Sequence, residues 1–431
     1  MTATTTAATA AGPRPGPVAV RPARWRLLHV FVSAAVVSLP LLRPSGPGNS
    51  GLVDLALLAA MLAGTVRASA LALPVRLPYA LPVGLAMAAG AVAATVNGGQ
   101  AGVVWRGTVA LAQDLFVFAW AAVIATIGRD HRVLDVLCRA WAYSATGWAA
   151  LMIIGELAGV PWLSGITERD GIRASLTLGD PNLAASYFVC ALLVMRAARR
   201  PRRTWARRLA CAVVVTAVLL TLSNGGILAM LVATALGGLF ALARRRGATV
   251  TLAAAAVLAL GAITVVSTAD VTGWVDRTEQ SSPWIRDSLG REAESSGSRS
   301  TVAAETARLW LETPHPFGIG PASTEATLRA GQAPYVKEAH DDYLAAVLER
   351  GALGGIALAL LVAAVAVRAR RISAADGVGP QHRVVVPRPE LLAAAAVAIG
   401  LSGFIYEVLH FRHVWALLGL IAALELSGRR R

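Results

Sequence analysis

Cysteine is scarce in this chain. Cys138, Cys190 and Cys211 are the three present, and each lies inside an apolar run. That placement excludes a disulfide framework, and the spacing fits no metal set. No Walker loop, no HExxH and no Cys/His ligand cluster occurs, so neither a nucleotide, a metal nor any other cofactor is expected. Charged residues make up 15% of the chain and hydrophobic residues 56%, with a mean hydropathy of +0.59, which rules out a soluble multi-domain protein. The first apolar run lacks the usual small-residue cleavage site and reads as a retained span, not a signal peptide.

What the chain does contain is a series of apolar runs long enough to cross a bilayer, which takes about 20 residues. Spans are expected at roughly 27–43, 51–66, 77–96, 103–127, 133–157, 180–197, 207–222, 225–243, 249–269, 342–367, 390–409 and 413–427. The expected fold is all-α: a polytopic helical membrane bundle of about twelve spans. A Thr-, Ala-, Pro- and Gly-rich tail covers 1–22 and reads as disordered and cytoplasmic. Spans one to nine occupy 23–269, a single long hydrophilic loop 270–339, spans ten to twelve 340–427, and a basic cytoplasmic tail 428–431.

The net charge of +15 does not point to nucleic acid, because the arginines cluster in short loops between apolar runs. Arg67 and Arg76, Arg129 and Arg132, Arg196 to Arg208, Arg244 to Arg246, Arg368 to Arg371 and Arg429 to Arg431 occupy alternate loops. That alternation predicts both termini in the cytoplasm of a cell-membrane protein, with loop 270–339 outside. The basic 196–208 loop reads as a topology signal, with contact to anionic membrane lipid as the alternative.

Local chemistry marks several helix starts and turns. Asp180-Pro181-Asn182 has an N-cap followed by a first-turn proline. Leu222 to Gly226 reads as a tight polar turn. Within the long loop, Val302, Ala303, Thr306, Leu309 and Trp310 recur with helical period, so a short helix is expected there with Trp310 at the interface. Thr313 to Pro321 ends that helix, and His315 between prolines reads as structural. From His340 a polar start turns into an apolar helix, and Gly351 with Gly355 is expected to let a neighbouring helix approach. Asp114 and Glu156, with Asp54 and Glu407 nearer span ends, are the intramembrane charges that a transport path would use.

Taken in order, these landmarks resemble the O-antigen ligase family over about residues 150–425. The pieces that carry the resemblance are Arg173 with Asp180-Pro181-Asn182, and the turn Ser223-Asn224-Gly225-Gly226. In the long loop they are Arg299, Trp310 and Pro316 to Gly320. The last is His340-Asp341-Asp342-Tyr343-Leu344 followed by Glu349, Gly351 and Gly354. Two positions depart from the family pattern: Asp341 replaces an Asn, and Asn224 replaces an Arg that the resemblance implies would bind a diphosphate.

The resemblance implies transfer of a glycan from a polyprenyl-diphosphate carrier to an acceptor hydroxyl outside the membrane, as ligase or polymerase. The implied partners are the lipid-linked glycan donor and a glycan, lipid or protein acceptor. A departing diphosphate needs charge neutralisation, which the arginine fork supplies, so Arg173 and Arg299 are the expected clamp. An acceptor hydroxyl needs a base near neutral pH, and His340 is the candidate. Asn182, Asn224, Lys337, Tyr343 and Asp341 complete the expected substrate-binding set, with Asp341 or Asp342 available to orient His340 and Tyr335 to contact sugar. A transporter or flippase of a polar lipid is the alternative that the same residues would serve; deep breaks within spans would favour it.

Single cysteines at Ser296 and Thr204, in a background lacking the three native ones, should react with an impermeant thiol reagent from opposite faces of intact cells. Labelling of both from one face would overturn the twelve-span topology.

Overall fold

The computed structural model describes residues 23–43, 50–99, 102–167, 172–268, 301, 304–311, 316–332 and 341–429. His340, Arg299, Lys337, Tyr335 and His315 lie outside the described residues, as do both tails and most of loop 270–339. Among the described residues every regular element is helical. Each expected span has a helix in its place: Ala23–Val37, Leu52–Ala70, Ala80–Val96, Val103–Ile127, His131–Leu157, Pro181–Ala197, Thr204–Leu220, Asn224–Arg246, Ala248–Thr268, Asp342–Ser373, Glu390–Ser402 and Arg412–Gly428. Four of these, Leu52–Ala70, Val103–Ile127, Asn224–Arg246 and Asp342–Ser373, are long and apolar enough to cross a membrane by length and composition. The further spans, and the sidedness of the loops, stand as a proposal. In the long loop, residues 304–311 are helical and Trp310 is half exposed, in keeping with an interfacial helix.

The helices are apolar on both faces. On Leu52–Ala70, Val53, Leu57, Ala60 and Met61 are buried against the bundle, while Leu55, Leu58, Leu62 and Val66 are exposed. A water-soluble protein rarely tolerates such an outward apolar stripe; hydrocarbon accepts it at no cost. The centre of the bundle is formed by Pro181–Ala197 and Arg412–Gly428, whose residues are buried nearly all round. Small residues allow the close approach. A Cβ on Gly64 would strike Val123, and one on Gly419 would strike Ile124 and the Ala121 carbonyl.

Charges inside the bundle are neutralised by arginine. Arg412 grips Asp54 with two bonds of 3.0 and 2.9 Å, and Arg350 meets Asp114 at 2.5 Å. Glu425 accepts from Arg368, Arg371 and Arg429 at 2.5–2.8 Å. Two of the four charges that the sequence marks for a transport path, Asp54 and Asp114, are thus tied into ion pairs between helices.

Two breaks shape the bundle. The helix expected to reach residue 409 stops at Ser402. Its 13 residues rise about 20 Å, short of the roughly 30 Å hydrocarbon core. Residues 403–411 continue as non-helical chain, with Gly403, Val408 and Phe411 buried and Phe404 exposed. The second break is Gly351, at φ 63° and ψ −165° within Asp342–Ser373. The expected role of Gly351, opening a face to another helix, is corrected here: what approaches it is the loop at Pro316 to Gly318. The freed carbonyls of Leu348 and Glu349 accept the Ile319 and Gly320 amides, each at 3.0 Å. The Glu349 carboxylate completes the seam by taking the Ala322 amide at 2.9 Å and the Thr324 hydroxyl at 2.8 Å.

That φ/ψ region is essentially restricted to glycine. Gly351→Ala should therefore lower thermal stability in detergent by at least about 1–3 kcal/mol. Gly355→Ala, whose added methyl meets only the movable Val347 side chain, should cost less. Equal melting temperatures for the two variants would show that the break is not required.

Candidate functional site

The site begins at a helix start. Asp180 caps Pro181–Ala197 by accepting the Asn182 amide at 2.7 Å and the Leu183 amide at 3.1 Å. This fixes Asn182 in the first turn, where its side chain faces back toward the preceding loop. The Asn182 Oδ1 accepts Arg173 Nη2 at 3.1 Å and Ser223 Oγ at 2.8 Å. Arg173 Nε donates to the Thr221 carbonyl at 3.2 Å. Ser223 in turn caps Asn224–Arg246 through the Gly226 amide, so the polar turn read from sequence is the start of that helix. A Cβ on Gly226 would collide with Ala185, so glycine lets the two helix starts touch.

Three expected site residues, Arg173, Asn182 and Asn224, are therefore gathered at one place, with Ser223 between them. Asn182 and Ser223 line a small cleft together with Ser186, Gly225, Gly226 and Tyr406, and Arg173 stands beside it through its bond to Asn182. Its floor is closed by Ser186, which shares a 2.9 Å hydrogen bond with the buried His413. That pair joins Pro181–Ala197 to Arg412–Gly428 and reads as a core contact.

Asp341 and Tyr343 sit elsewhere. Asp341 is the N-cap of Asp342–Ser373, accepting the Tyr343 amide at 2.7 Å and the Leu344 amide at 3.0 Å. Burial pushes its carboxyl up from the ordinary value, against the pull of those two amides. Asp342 is turned away from the helix start, accepting the Val408 amide at 2.9 Å and the Leu409 amide at 3.4 Å. Tyr343 donates to the Gly400 carbonyl at 2.9 Å, and its ring stacks on Phe404 with centroids 4.0 Å apart. Tyr343 lines a separate, mainly aliphatic cavity, apart from the cluster at Asn182, and its expected contact with substrate stands as a proposal.

The non-helical chain at 403–411 ties the two groups together. Tyr406 donates to Asp180 at 3.0 Å, and two residues on, Val408 is held by Asp342. Tyr406 has no place in the sequence reading, because it lies in a run that reads as continuous span. The available signal is the polar stretch Tyr406-Glu407 with His410 at the end of an otherwise aliphatic segment.

Asn182→Ala should strand the Ser223 hydroxyl and one Arg173 donor, costing about 1–3 kcal/mol of stability. Asn182→Asp should keep the fold, since its carboxylate still accepts both. Thermal melts of the purified variants separate these outcomes; an unchanged melt for the alanine variant would mean that Asn182 does not hold the cluster.

Residues 209–360 match the family model described as O-antigen ligase. This is shorter than the 150–425 stretch over which the motifs run, and Arg173, Asn182 and Tyr406 lie outside it. No curated protein matches the chain. The matched stretch holds Ser223, Asn224 and the seam between Gly318–Gly320 and Gly351, and over residues 209–360 the chain is similar to the O-antigen ligase family.

Proposed function

We propose that this chain is a multi-pass cell-membrane glycosyltransferase that moves a glycan from a polyprenyl-diphosphate carrier to an acceptor hydroxyl on the outer face, as ligase or polymerase. The observation that carries this reading is the convergence of Arg173 and Asn182, from the 173–182 stretch, with Ser223, from the turn inside the matched domain, at one cleft. Asn182 and Thr221 hold the Arg173 guanidinium in a fixed place beside that cleft. A cation positioned before the substrate arrives neutralises a departing diphosphate without reorganising, which is where electrostatic catalysis gains most.

In this reading His340, one residue before the Asp341 cap, removes the acceptor proton. The Asp341 and Asp342 carboxylates both accept backbone amides, so neither is needed as the base. Arg299 and Lys337 would join Arg173 from the long loop, and the reaction uses no metal or nucleotide. The donor lipid stays in the bilayer while its glycan reaches water at the rim of the bundle. The transporter reading draws support from the Gly351 break and from the Arg350–Asp114 pair below it.

Arg173→Ala should raise the barrier to glycan transfer by about 2–4 kcal/mol, by analogy with loss of an oxyanion donor. Arg329→Ala should leave it unchanged, because Arg329 is exposed and paired only with Glu325 on its own short helix. His340→Ala should cost roughly 10²–10⁴ in rate, and His340→Gln should not restore it, because an amide cannot take the proton. The assay uses purified protein, a polyprenyl-diphosphate glycan and candidate acceptors, without nucleotide or divalent metal. Full turnover by His340→Gln would remove the base. Donor crossing a bilayer with no acceptor glycosylated would establish the transporter instead.

A further inference from the structure

The cleft at Asn182 has a shortage of positive charge for the ligand proposed for it. Its lining of Asn182, Ser223, Gly225, Gly226, Ser402 and Tyr406 with aliphatic residues includes no cation, and Arg173 stands beside it, one hydrogen bond away. Asn224 brings an amide to the helix start there. A diphosphate carries more than one negative charge, and among the described residues Arg173 alone meets it at this cluster, before any contribution from Arg299 and Lys337 of the long loop.

A second arginine stands against the same loop. Arg43 follows the Ala23–Val37 helix, far from the motifs in sequence. Its amide donates to the Thr177 carbonyl at 3.0 Å, and its Nη2 donates to the Gly179 carbonyl at 2.9 Å. The Thr177 hydroxyl returns a bond of 2.6 Å to the Pro40 carbonyl. Leu39 and Leu42, which precede Arg43, are buried, so the segment leading to it is docked.

Gly179 is shaped for this contact. It lies at φ 76°, and a Cβ there would fall on the Arg43 guanidinium. The guanidinium thus rests on the backbone immediately ahead of Asp180-Pro181-Asn182. Unlike Arg350, Arg368 and Arg412, Arg43 is exposed and has no carboxylate paired with it among the described residues. The adjoining Asp180 carboxylate is committed to the Asn182 and Leu183 amides and to Tyr406.

We propose that Arg43 is a further cation of the site, held on the Thr177 and Gly179 carbonyls of the 173–182 loop and binding the donor diphosphate together with Arg173. The inference rests on the function proposed above. One guanidinium N–H is spent on Gly179, which fixes the fork in place; the charge and the other donors face solvent. Evenly spread positive charge would favour a diphosphate over a monophosphate, so Arg43 would set that preference.

The test measures binding of a polyprenyl diphosphate and of the matching monophosphate to the full-length protein in lipid nanodiscs. Arg43→Gln removes the charge and leaves a shorter, neutral side chain in its place. It should weaken diphosphate binding about tenfold, shift monophosphate binding less, and leave the melting temperature unchanged. Arg43→Lys, which restores the charge, should recover most of the affinity. Parent-like diphosphate affinity for Arg43→Gln, alongside weakened binding by Arg173→Ala, would overturn the role of Arg43 and leave the proposed function standing. A matching loss of stability and affinity in both Arg43 variants would mark a loop clamp and also overturn it. Failure of the parent to bind either lipid would remove both.

Discussion

A backbone carbonyl or amide inside an apolar bundle has no water to fall back on, and this constraint governs where the helices break. At Gly351 the helix opens and the Leu348 and Glu349 carbonyls lose their helical partners. The Ile319 and Gly320 amides of the incoming loop take those places. The Glu349 carboxylate then receives the next amides of that same loop, so one break both admits the loop and anchors it. At Ser402 the answer is similar, with the Asp342 carboxylate and amide holding the 403–411 chain. Irregular backbone within a membrane bundle is tolerated where its polar groups find partners in the protein, and both breaks find them.

The arginine pairs follow from the same shortage of water. An isolated carboxylate such as Asp54, Asp114 or Glu425 would be costly within the bundle, and removing one partner of a buried pair leaves the other uncompensated. Each is met by guanidinium on another helix or turn. These pairs join elements far apart in sequence, so they fix which helices are neighbours more than they add net stability.

Against this background the cleft at Asn182 stands out, because its polar groups are arranged differently. They are hydrogen-bonded to each other at helix starts, where amides and side chains gather beside solvent. Pro181–Ala197 and Asn224–Arg246 meet through Gly226 and Ala185, so Asn182 and Ser223 are forced together. Tyr406 braces the cap of the first helix from the break after Ser402. The chemistry proposed for the chain thus draws on both devices that shape the fold.

The presence and approximate ends of the helices were legible in the sequence, because hydropathy and capping act within a few residues. Asp180 before Pro181 and Ser223 before its glycines behave as N-caps for reasons that are local. The polar gathering of Arg173 and Asn182 was suggested by motif order. Other features were set by tertiary structure alone. Gly351 reads equally well as a packing glycine or a break until the 316–320 loop arrives to take the freed carbonyls. Tyr343 finds the Gly400 carbonyl and the Phe404 ring, which lie 57 and 61 residues further along the chain. Asp342 finds its partners 66 and 67 residues away, and Arg43 finds Gly179 at a separation of 136. Local rules name the groups that need a partner; only the packing of the whole bundle decides which partner each one receives.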